Sequence, residues 1–354
     1  MENIRKDGDS LIFIKQRDKE NVERLPVFYT SYLQKASNLQ REVKKVAWGG
    51  LEMKLEHRDK LMIDVRNCYE NENCDVIIPP SVNWHITNRC NMNCVYCFAK
   101  FKKIDRILPK ESALKIPRQL VELGIKKINI SGGEPFLYPY LNEVIKECKK
   151  CGLTVAIISN GTILTSSLIK EISEYVDWLG LSLDSCNEET QTKLGRGKCI
   201  KIPTFLELAK LIKKEGIRLK INTVVTKLNV HEDMRELIKR INPDRWKVFQ
   251  VMMRPGENDG ISNLLVNDSE FKEYSRRNMF TLENGTKPAF ESNEDMRTSY
   301  LMLDPLGRFF HSANGPIEYI DTDPLNIAKS KDKIVFDYDA YIRRGGIYDW
   351  DRQR

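Results

Sequence analysis

Three cysteines carry the strongest chemical signal in this chain. Cys90-Asn91-Met92-Asn93-Cys94-Val95-Tyr96-Cys97 places thiols at C-x3-C-x2-C spacing, directly after a strand-like segment. Thiolates are the usual ligands of iron–sulfur clusters. Three of them leave one iron of a four-iron cube open, and an open metal position can chelate a small molecule. The spacing leaves alternatives. A zinc site needs a fourth ligand, and nearby His85 lies in poor register for it. A C-x-x-C redox pair leaves Cys90 unexplained, and inert core cysteines do not cluster within eight residues at a strand end. Cys148 and Cys151 make only a two-ligand Cys-Lys-Lys-Cys, and Cys68, Cys74, Cys186 and Cys199 are isolated.

The spacing, with aromatic Tyr96 before the third cysteine, resembles the radical S-adenosylmethionine (SAM) superfamily. In that superfamily the open iron binds the amino and carboxylate groups of SAM, and electron transfer releases a 5′-deoxyadenosyl radical. The resemblance implies a [4Fe–4S] cluster on Cys90, Cys94 and Cys97, with SAM beside it. Ser131-Gly132-Gly133-Glu134-Pro135 is similar to the glycine-rich SAM motif. The paired glycines let backbone approach a ligand closely, and Glu134 offers an acceptor for an ammonium group. Ser159-Asn160-Gly161, Ser182 and Asp184 end later strands and supply hydroxyl or amide contacts. Arg196, within Gly195-Arg196-Gly197, suits a carboxylate because its fork pairs bidentately. Ordinary turn chemistry accounts equally well for each of these strand ends taken alone.

A second group of residues points to the substrate. Lys127-x-Asn129-x-Ser131, Lys220-x-Asn222 and Arg245-x-Lys247 place cations and amides at period two, and residues two apart on a strand share a face. The intervening Ile128, Ile130, Ile221 and Trp246 belong under helices, so the cations line the lumen. Burying unpaired charge costs several kcal/mol (about 3 or more). Four clustered cations are tolerable where a polyanion sits, and a triphosphate matches in charge and size. Snorkelling from exposed strand starts is the competing explanation.

These residues need elements to position them. Strand candidates at 82–87, 127–131, 153–158, 178–183, 218–225 and 245–251 alternate with helix-like segments. Phe205, Leu208, Ala209 and Ile212 share one helix face, as do Met234, Leu237, Ile238 and Ile241. Pro109 and Pro203 suit first helical turns. The repeated βα pattern predicts an α/β fold with a parallel sheet, and six units predict a partial (β/α)6 barrel rather than a closed eight-unit one. Residues 1–80 form an N-terminal accessory segment, 81–253 the barrel, and 254–354 a C-terminal extension. In the extension, 300–303 and 308–311 form a hairpin turned by Asp304-Pro305-Leu306-Gly307. The net charge of +7 favours anionic partners without deciding among them. No run of 18 apolar residues appears, and Met1–Asp9 has no signal-peptide pattern, so neither a membrane span nor export is expected. Nine cysteines without such a pattern point to a reducing, cytoplasmic setting.

Longer segments are similar to the viperin family, prokaryotic type. They are Ser81-Val82-Asn83-Trp84-His85, Lys127 through Phe136, Leu194 through Gly197, Lys220-Ile221-Asn222 and Asn242 through Gln250. Gly256-Glu257-Asn258, Glu291-Ser292-Asn293, Ser299-Tyr300-Leu301 and Arg344-Gly345-Gly346 extend the likeness over roughly residues 81–350. It implies abstraction of the ribose 4′-hydrogen of a nucleoside triphosphate (CTP, UTP or GTP). Loss of the 3′-hydroxyl as water, with one electron and one proton added, gives a 3′-deoxy-3′,4′-didehydro nucleotide, a chain terminator used in antiviral defence. The same likeness implies that Lys127, Lys220, Arg245 and Lys247 clamp the triphosphate, assisted by Asn83, Asn129, Ser131 and Asn222. Tyr300 closes over the nucleotide, and Lys220 and Tyr300 serve catalysis. Tyr96, Gly132, Gly133, Glu134, Ser159, Asn160, Ser182 and Arg196 attend SAM. A flavodoxin or ferredoxin is the expected electron donor, the chain is expected to act as a monomer, and neither nucleic acid nor membrane is an expected partner. No basic amphipathic anchoring helix of the animal proteins is seen. The rival readings are a radical SAM enzyme acting on GTP or on a peptide, and a metal-stabilised nucleic-acid-binding protein. The first two commonly carry auxiliary clusters on C-terminal cysteines, and no cysteine follows Cys199.

Overall fold

The computed structural model describes residues 3–7, 10–14, 79–196, 201–311, 315–320, 334 and 336–350. The chain divides into two compact units, Met1–Gly49 and Gly50–Arg354. In the first, strands β1 (Asn3–Asp7) and β2 (Ser10–Ile14) form an antiparallel hairpin. The expected limit of the accessory segment depends on residues 15–78, which lie outside the described residues, as do Cys68, Cys74, Gly197 and Cys199.

Six strands of the second unit pair in parallel and in chain order: β3 (Ser81–Thr87), β4 (Lys127–Gly132), β5 (Thr154–Ser159), β6 (Trp178–Ser182), β7 (Arg218–Val225) and β8 (Arg245–Gln250). Each boundary falls within a residue of the one expected from the apolar runs. Helices Ile116–Glu122, Leu141–Lys150, Ser166–Ile172, Ile202–Lys214 and Arg235–Ile241 alternate with them. Helix Ile202–Lys214 takes Pro203 in its first turn and buries Phe205, Leu208, Ala209 and Ile212, the stripe read from its sequence. Pro109 instead caps the short helix Lys110–Ala113 from outside. Helix Arg235–Ile241 ends where Asn242 adopts the left-handed region (φ 46°), a conformation asparagine tolerates better than most residues. The apolar faces meet in one core. Ile128, Ile130, Ile221 and Trp246 are fully buried there, and each such side chain contributes about 1.5–3 kcal/mol relative to exposure.

The barrel stays open because its end strands take other partners. β3 pairs in parallel with β10 (Leu301–Leu303), and β8 with β9 (Ala289–Glu291). The expected hairpin is present. β10 pairs antiparallel with β11 (Phe309–His311), and Gly307 turns it at φ 77°. β12 (Glu318–Tyr319) adds an outer strand. The C-terminal extension therefore prolongs the barrel sheet on both sides, and its later residues Arg344, Tyr348 and Trp350 line the lumen.

Candidate functional site

A cavity of about 570 Å³ runs through the lumen, within the size range of small-molecule sites. It is lined by Cys90, Cys94, Cys97, Tyr96, Gly132, Gly133, Ser159, Asn160, Ser182 and Arg196 at the carboxyl ends of the strands. Deeper in, Asn83, Lys127, Asn129, Ser131, Lys220, Asn222, Arg245, Lys247 and Tyr300 line it. The structure thus brings every residue assigned from the sequence to the cluster, SAM or the nucleotide into one cavity, except Glu134.

Glu134 is fully buried, and the protein's own donors take its carboxylate. Ser159 Oγ (2.8 Å) and the Asn160 amide (2.8 Å) both donate to it. Burial pushes its pKa up. It ties the loop after β4 to the end of β5, and its side chain is not among those lining the cavity. The glycines also do more than leave room for a ligand. Their backbone packs on the cysteine loop: the Gly133 amide donates to Thr87 O (2.6 Å) and that of Glu134 to Arg89 O (2.8 Å). A Cβ on Gly133 would lie 2.1 Å from Arg89 O, closer than any real contact, and the obstructing atom is backbone. Gly133→Ala should therefore displace the segment carrying Cys90. We expect it to lower bound iron and sulfide per chain to less than about half, with roughly 1–3 kcal/mol of lost stability. Normal iron content in the purified variant would refute this coupling.

The three thiols are free. Burial pushes Cys97 up to about 12 and also raises Cys94. Such thiols deprotonate when a bound metal supplies positive charge. Among the described residues, no three His, Cys, Asp or Glu side chains converge on a single-ion site. His85 is buried among Phe98, Phe101 and Phe310, where burial lowers its pKa to about 4. It is packed against these rings, with Ser131 Oγ 3.4 Å from its Nδ1, and belongs to no three-ligand group among the described residues. Arg196 hydrogen-bonds Ser182 O (2.8 Å), pairs with Asp184 (3.4 Å) and lies 3.7 Å from Cys94 Sγ. The Tyr96 hydroxyl donates to the same Asp184 carboxylate. One edge of the guanidinium is thus already engaged, which departs from a fork wholly free for a carboxylate. Its Nε is buried without a partner, as a group awaiting a ligand would be. Thiols, glycine turns and this orphaned donor together fit a cluster-bound cofactor at the upper mouth.

Strand register sets the cations in tiers. Asn129, Ala156, Trp178 and Arg218 fall on one level, Gly180, Lys220 and Arg245 on the next, and Ser182, Asn222 and Lys247 above it. Lys127 lies at the lower end. It donates to the Tyr348 hydroxyl (2.5 Å) and stands over the rings of Tyr348, Trp178 and Trp350 at 4.4, 5.1 and 5.2 Å. Arg245 stacks on Tyr348 (3.8 Å) and bonds Gly345 O. Lys247 donates to Tyr300 (2.8 Å) and pairs with Glu291. Arg344 stacks on Tyr300 (3.7 Å) and lies 3.8 Å from Glu291. Burial, reinforced by neighbouring cations, lowers Lys127 and Lys220 to about 7 and Lys247 well below its usual range. Burial opposes ionisation of Glu291, but Lys247 and Arg344 outweigh it and hold the carboxyl below its ordinary value. Asn129 Oδ1, Asn222 Oδ1, Arg245 Nε and Arg344 Nε are buried without partners. Five cations (Lys127, Lys220, Arg245, Lys247 and Arg344) and one carboxylate thus leave a positive, under-satisfied lumen.

Sequence reasoning missed Tyr348, Trp350 and Trp178, and it quoted Glu291 and Arg344 only within the family likeness, without a role. Trp178 was legible, since it shares the period-two face of Gly180 and Ser182. Glu291 was not. Its place depends on β9 pairing with β8, which three residues of strand do not announce.

The comparisons agree with this architecture. A model of the radical SAM superfamily matches residues 84–241. The S-adenosylmethionine-dependent nucleotide dehydratase of Flammeovirga pacifica is 41% identical, the match covering 77% of this chain and 97% of the relative. A protein of the same name from a Thermoplasmatales archaeon is 31% identical over 76% of this chain and 96% of its own. One from Oncorhynchus mykiss is 34% identical over 77% and 81%. Among solved structures, Streptococcus suis SuiB superposes with a TM-score of 0.56 at 16% identity, covering 97% of this chain and 89% of that one. The AdoMet-bound anSMEcpe does so with 0.55 at 15%, covering 73% and 83%. At those identities they show the fold alone. The relatives show more: this chain belongs to the radical SAM superfamily and, within it, to the S-adenosylmethionine-dependent nucleotide dehydratases, the viperin family, which work with a [4Fe–4S] cluster and SAM.

Proposed function

We propose that the protein converts a nucleoside triphosphate (CTP, UTP or GTP) to its 3′-deoxy-3′,4′-didehydro analogue, a chain terminator in antiviral defence. The observation that carries this reading is the shared cavity: three thiols line its mouth while four cations from three strands line its depth. The nucleotide loses the ribose 4′-hydrogen and the 3′-hydroxyl, gains one electron and one proton, and water leaves. Bound together, cluster and SAM supply a carbon radical able to take hydrogen from an unactivated C–H bond.

The chain's own residues do the rest. Cys90, Cys94 and Cys97 would hold the cluster. Tyr96, Gly132, Gly133, Ser159, Asn160, Ser182 and Arg196 surround SAM, with Glu134 fixing the loop from behind. Lys127, Lys220, Arg245 and Lys247 hold the triphosphate, and Asn83, Asn129, Ser131 and Asn222 supply hydrogen bonds. Lys220, with its pKa near neutrality, is suited to hold and give a proton at working pH. Tyr300, bonded to Lys247 and to Glu291, closes the ribose end and keeps water from the radical. Residues 81–253 act as the catalytic barrel and 254–354 as its closure. We further infer that the protein is a cytoplasmic monomer reduced by a flavodoxin or ferredoxin. In support, no described helix is long and apolar enough to cross a membrane.

The test is anaerobic incubation of the reconstituted protein with SAM, reductant and each of CTP, UTP, GTP and ATP. We expect 5′-deoxyadenosine and a nucleotide lighter by one water, formed together, with at least one of them. Brisk SAM cleavage with no dehydrated nucleotide in any mixture would reject the substrate.

A further inference from the structure

We propose that the loop running from Asn88 to Ile107 is the docking surface for an acidic one-electron carrier protein. The inference rests on the radical SAM reading above and adds a place for the electron to enter.

The first observation is charge. Residues 88–107 hold Arg89, Lys100, Lys102, Lys103 and Arg106 against one acid, Asp105. That is a net +4 within twenty residues, where the whole chain carries +7 over 354. Arg89, Lys102, Lys103 and Arg106 are exposed, and no ion pair to another described residue is seen for any of the five cations. Elsewhere on the described surface cations such as Lys110, Lys193, Lys210 and Arg235 pair with acids. A solvated basic face of the ordinary kind would show the same interleaving.

The second observation is position. The same loop contains all three thiols. Cys90 is exposed at the cavity rim, next to Arg89 in the chain, and Lys100 follows Cys97 by three residues and lines the same cavity. Val95, between Cys94 and Cys97, is an apolar side chain left 39% exposed. Its amide is held by Leu194 O at 3.0 Å, which fixes the loop crest. An apolar centre with a charged rim is how protein interfaces are commonly built.

The third observation is rigidity. Asn88 Nδ2 donates to Ile104 O (2.6 Å), tying the two ends of the loop together. The Lys102 amide donates to Glu257 Oε2 (3.2 Å), and the Ile104 amide to Phe101 O (2.8 Å). Phe101 and Ile104 are buried between the exposed cations. The lysines are therefore presented outward from a fixed backbone. Small redox encounters bury little area and depend on charge for their rate.

The occupant is a reduced flavodoxin-like or ferredoxin-like protein whose redox group is ringed by Asp and Glu. In the step proposed, the carrier gives up one electron, a flavin hydroquinone becoming the semiquinone, to the cluster that Cys90, Cys94 and Cys97 would hold. No atom is transferred. A nucleic acid would find the same charge, but it brings no electron, and the exposed Val95 does not call for it.

The experiment compares two reductants on the reconstituted holoenzyme. Lys102→Glu, Lys103→Glu and Arg106→Glu are combined, and 5′-deoxyadenosine release is timed with dithionite and with a small acidic flavodoxin in its hydroquinone form. Dithionite needs no docking, so that rate should stay within about twofold of the parent. The flavodoxin-driven rate should fall by about tenfold or more, and in the parent it should fall as salt is raised. A control pair on another face, Lys126→Glu with Lys170→Glu, should leave both rates unchanged. The milder Lys103→Gln should give an intermediate loss should the triple variant fold poorly. An unchanged flavodoxin-driven rate in the triple variant overturns the proposal. So do equal losses with both reductants at full iron content. Failure of the parent to cleave SAM with dithionite would instead sink the radical SAM reading.

Discussion

Between pH 7.5 and 9, triphosphate binding should weaken by about tenfold per unit, the limit for one lysine that must be charged to bind. Lys220 is the residue concerned. Burial, with Arg245 beside it, lowers its pKa to about 7. Its ammonium stands over the Trp178 ring at 5.8 Å, and no hydrogen-bond acceptor for it is seen among the described residues. Glu291 acts to raise its pKa, and Arg344, like Arg245, to lower it. A bound triphosphate reverses the balance and raises the pKa in the complex. The sign follows. Below pH 7 the free enzyme already holds the proton. Above it, binding must take one up, and affinity declines until the pKa of the complex is passed. The nucleotide's terminal phosphate loses its last proton near pH 6, so the window above 7.5 isolates the protein. Lys220→Met should lower affinity at pH 7 by about 10- to 100-fold, the loss of one hydrogen bond to a charged group, and flatten the profile. Calorimetric titration with CTP decides the matter, and a constant affinity across this window in the parent would refute it. Lys127, also lowered to about 7, is coupled to Lys220 by repulsion. The two titrate as a pair, which broadens the transition and leaves its direction unchanged.

Much of this site could be read before any coordinates, because strand periodicity is a rigid rule. Lys127, Asn129 and Ser131 had to share a face if 127–131 is a strand, and Ile128 and Ile130 had to take the other. Their burial in the core confirms the split. The barrel was legible for the same reason: short β-branched runs and amphipathic helices announce themselves locally. What stayed hidden depends on pairing between distant segments. Nothing in Ala289-Phe290-Glu291 says that it lies beside Lys247-Val248-Phe249. Tyr348 and Trp350 read as an ordinary tail, yet Trp178 Nε1 donates to Trp350 O (3.0 Å) across 172 residues. The internal hydrogen bonds of Glu134 were hidden in a similar way. Its type and motif suggested a ligand contact, but the Ser159 hydroxyl and Asn160 amide reach it first, and only the fold reveals that competition.

Glu291→Gln should destabilise the nucleotide-free protein by about 3 kcal/mol or more, the scale for removing one partner of a buried ion pair. Melting should fall by roughly 6 °C or more. The carboxylate is fully buried, pairs with Lys247, lies 3.8 Å from Arg344, and accepts from Tyr300. Glutamine keeps the shape and removes the countercharge that Lys247, Arg344 and Lys220 share. Lys247, already held well below its usual range by burial, would then escape part of the cost by losing its proton. Its folded pKa would lie further below the value of about 10.4 in the unfolded chain. The unfolded state then binds more protons through the neutral range, so stability of the variant rises with pH there, more steeply than in the parent. A triphosphate restores the missing negative charge. Its stabilising effect at pH 6.5 should therefore be larger in the variant than in the parent, even though the variant starts from a lower melting point. This last comparison separates an electrostatic role from a packing role, since a packing defect would lower both curves and leave the ligand shift alone. Thermal melts of both proteins from pH 6 to 9, with and without CTP, provide the measurement. Equal ligand shifts, or a melting point within one degree of the parent at pH 6.5, would show that Glu291 is not the countercharge of the triphosphate-binding cations.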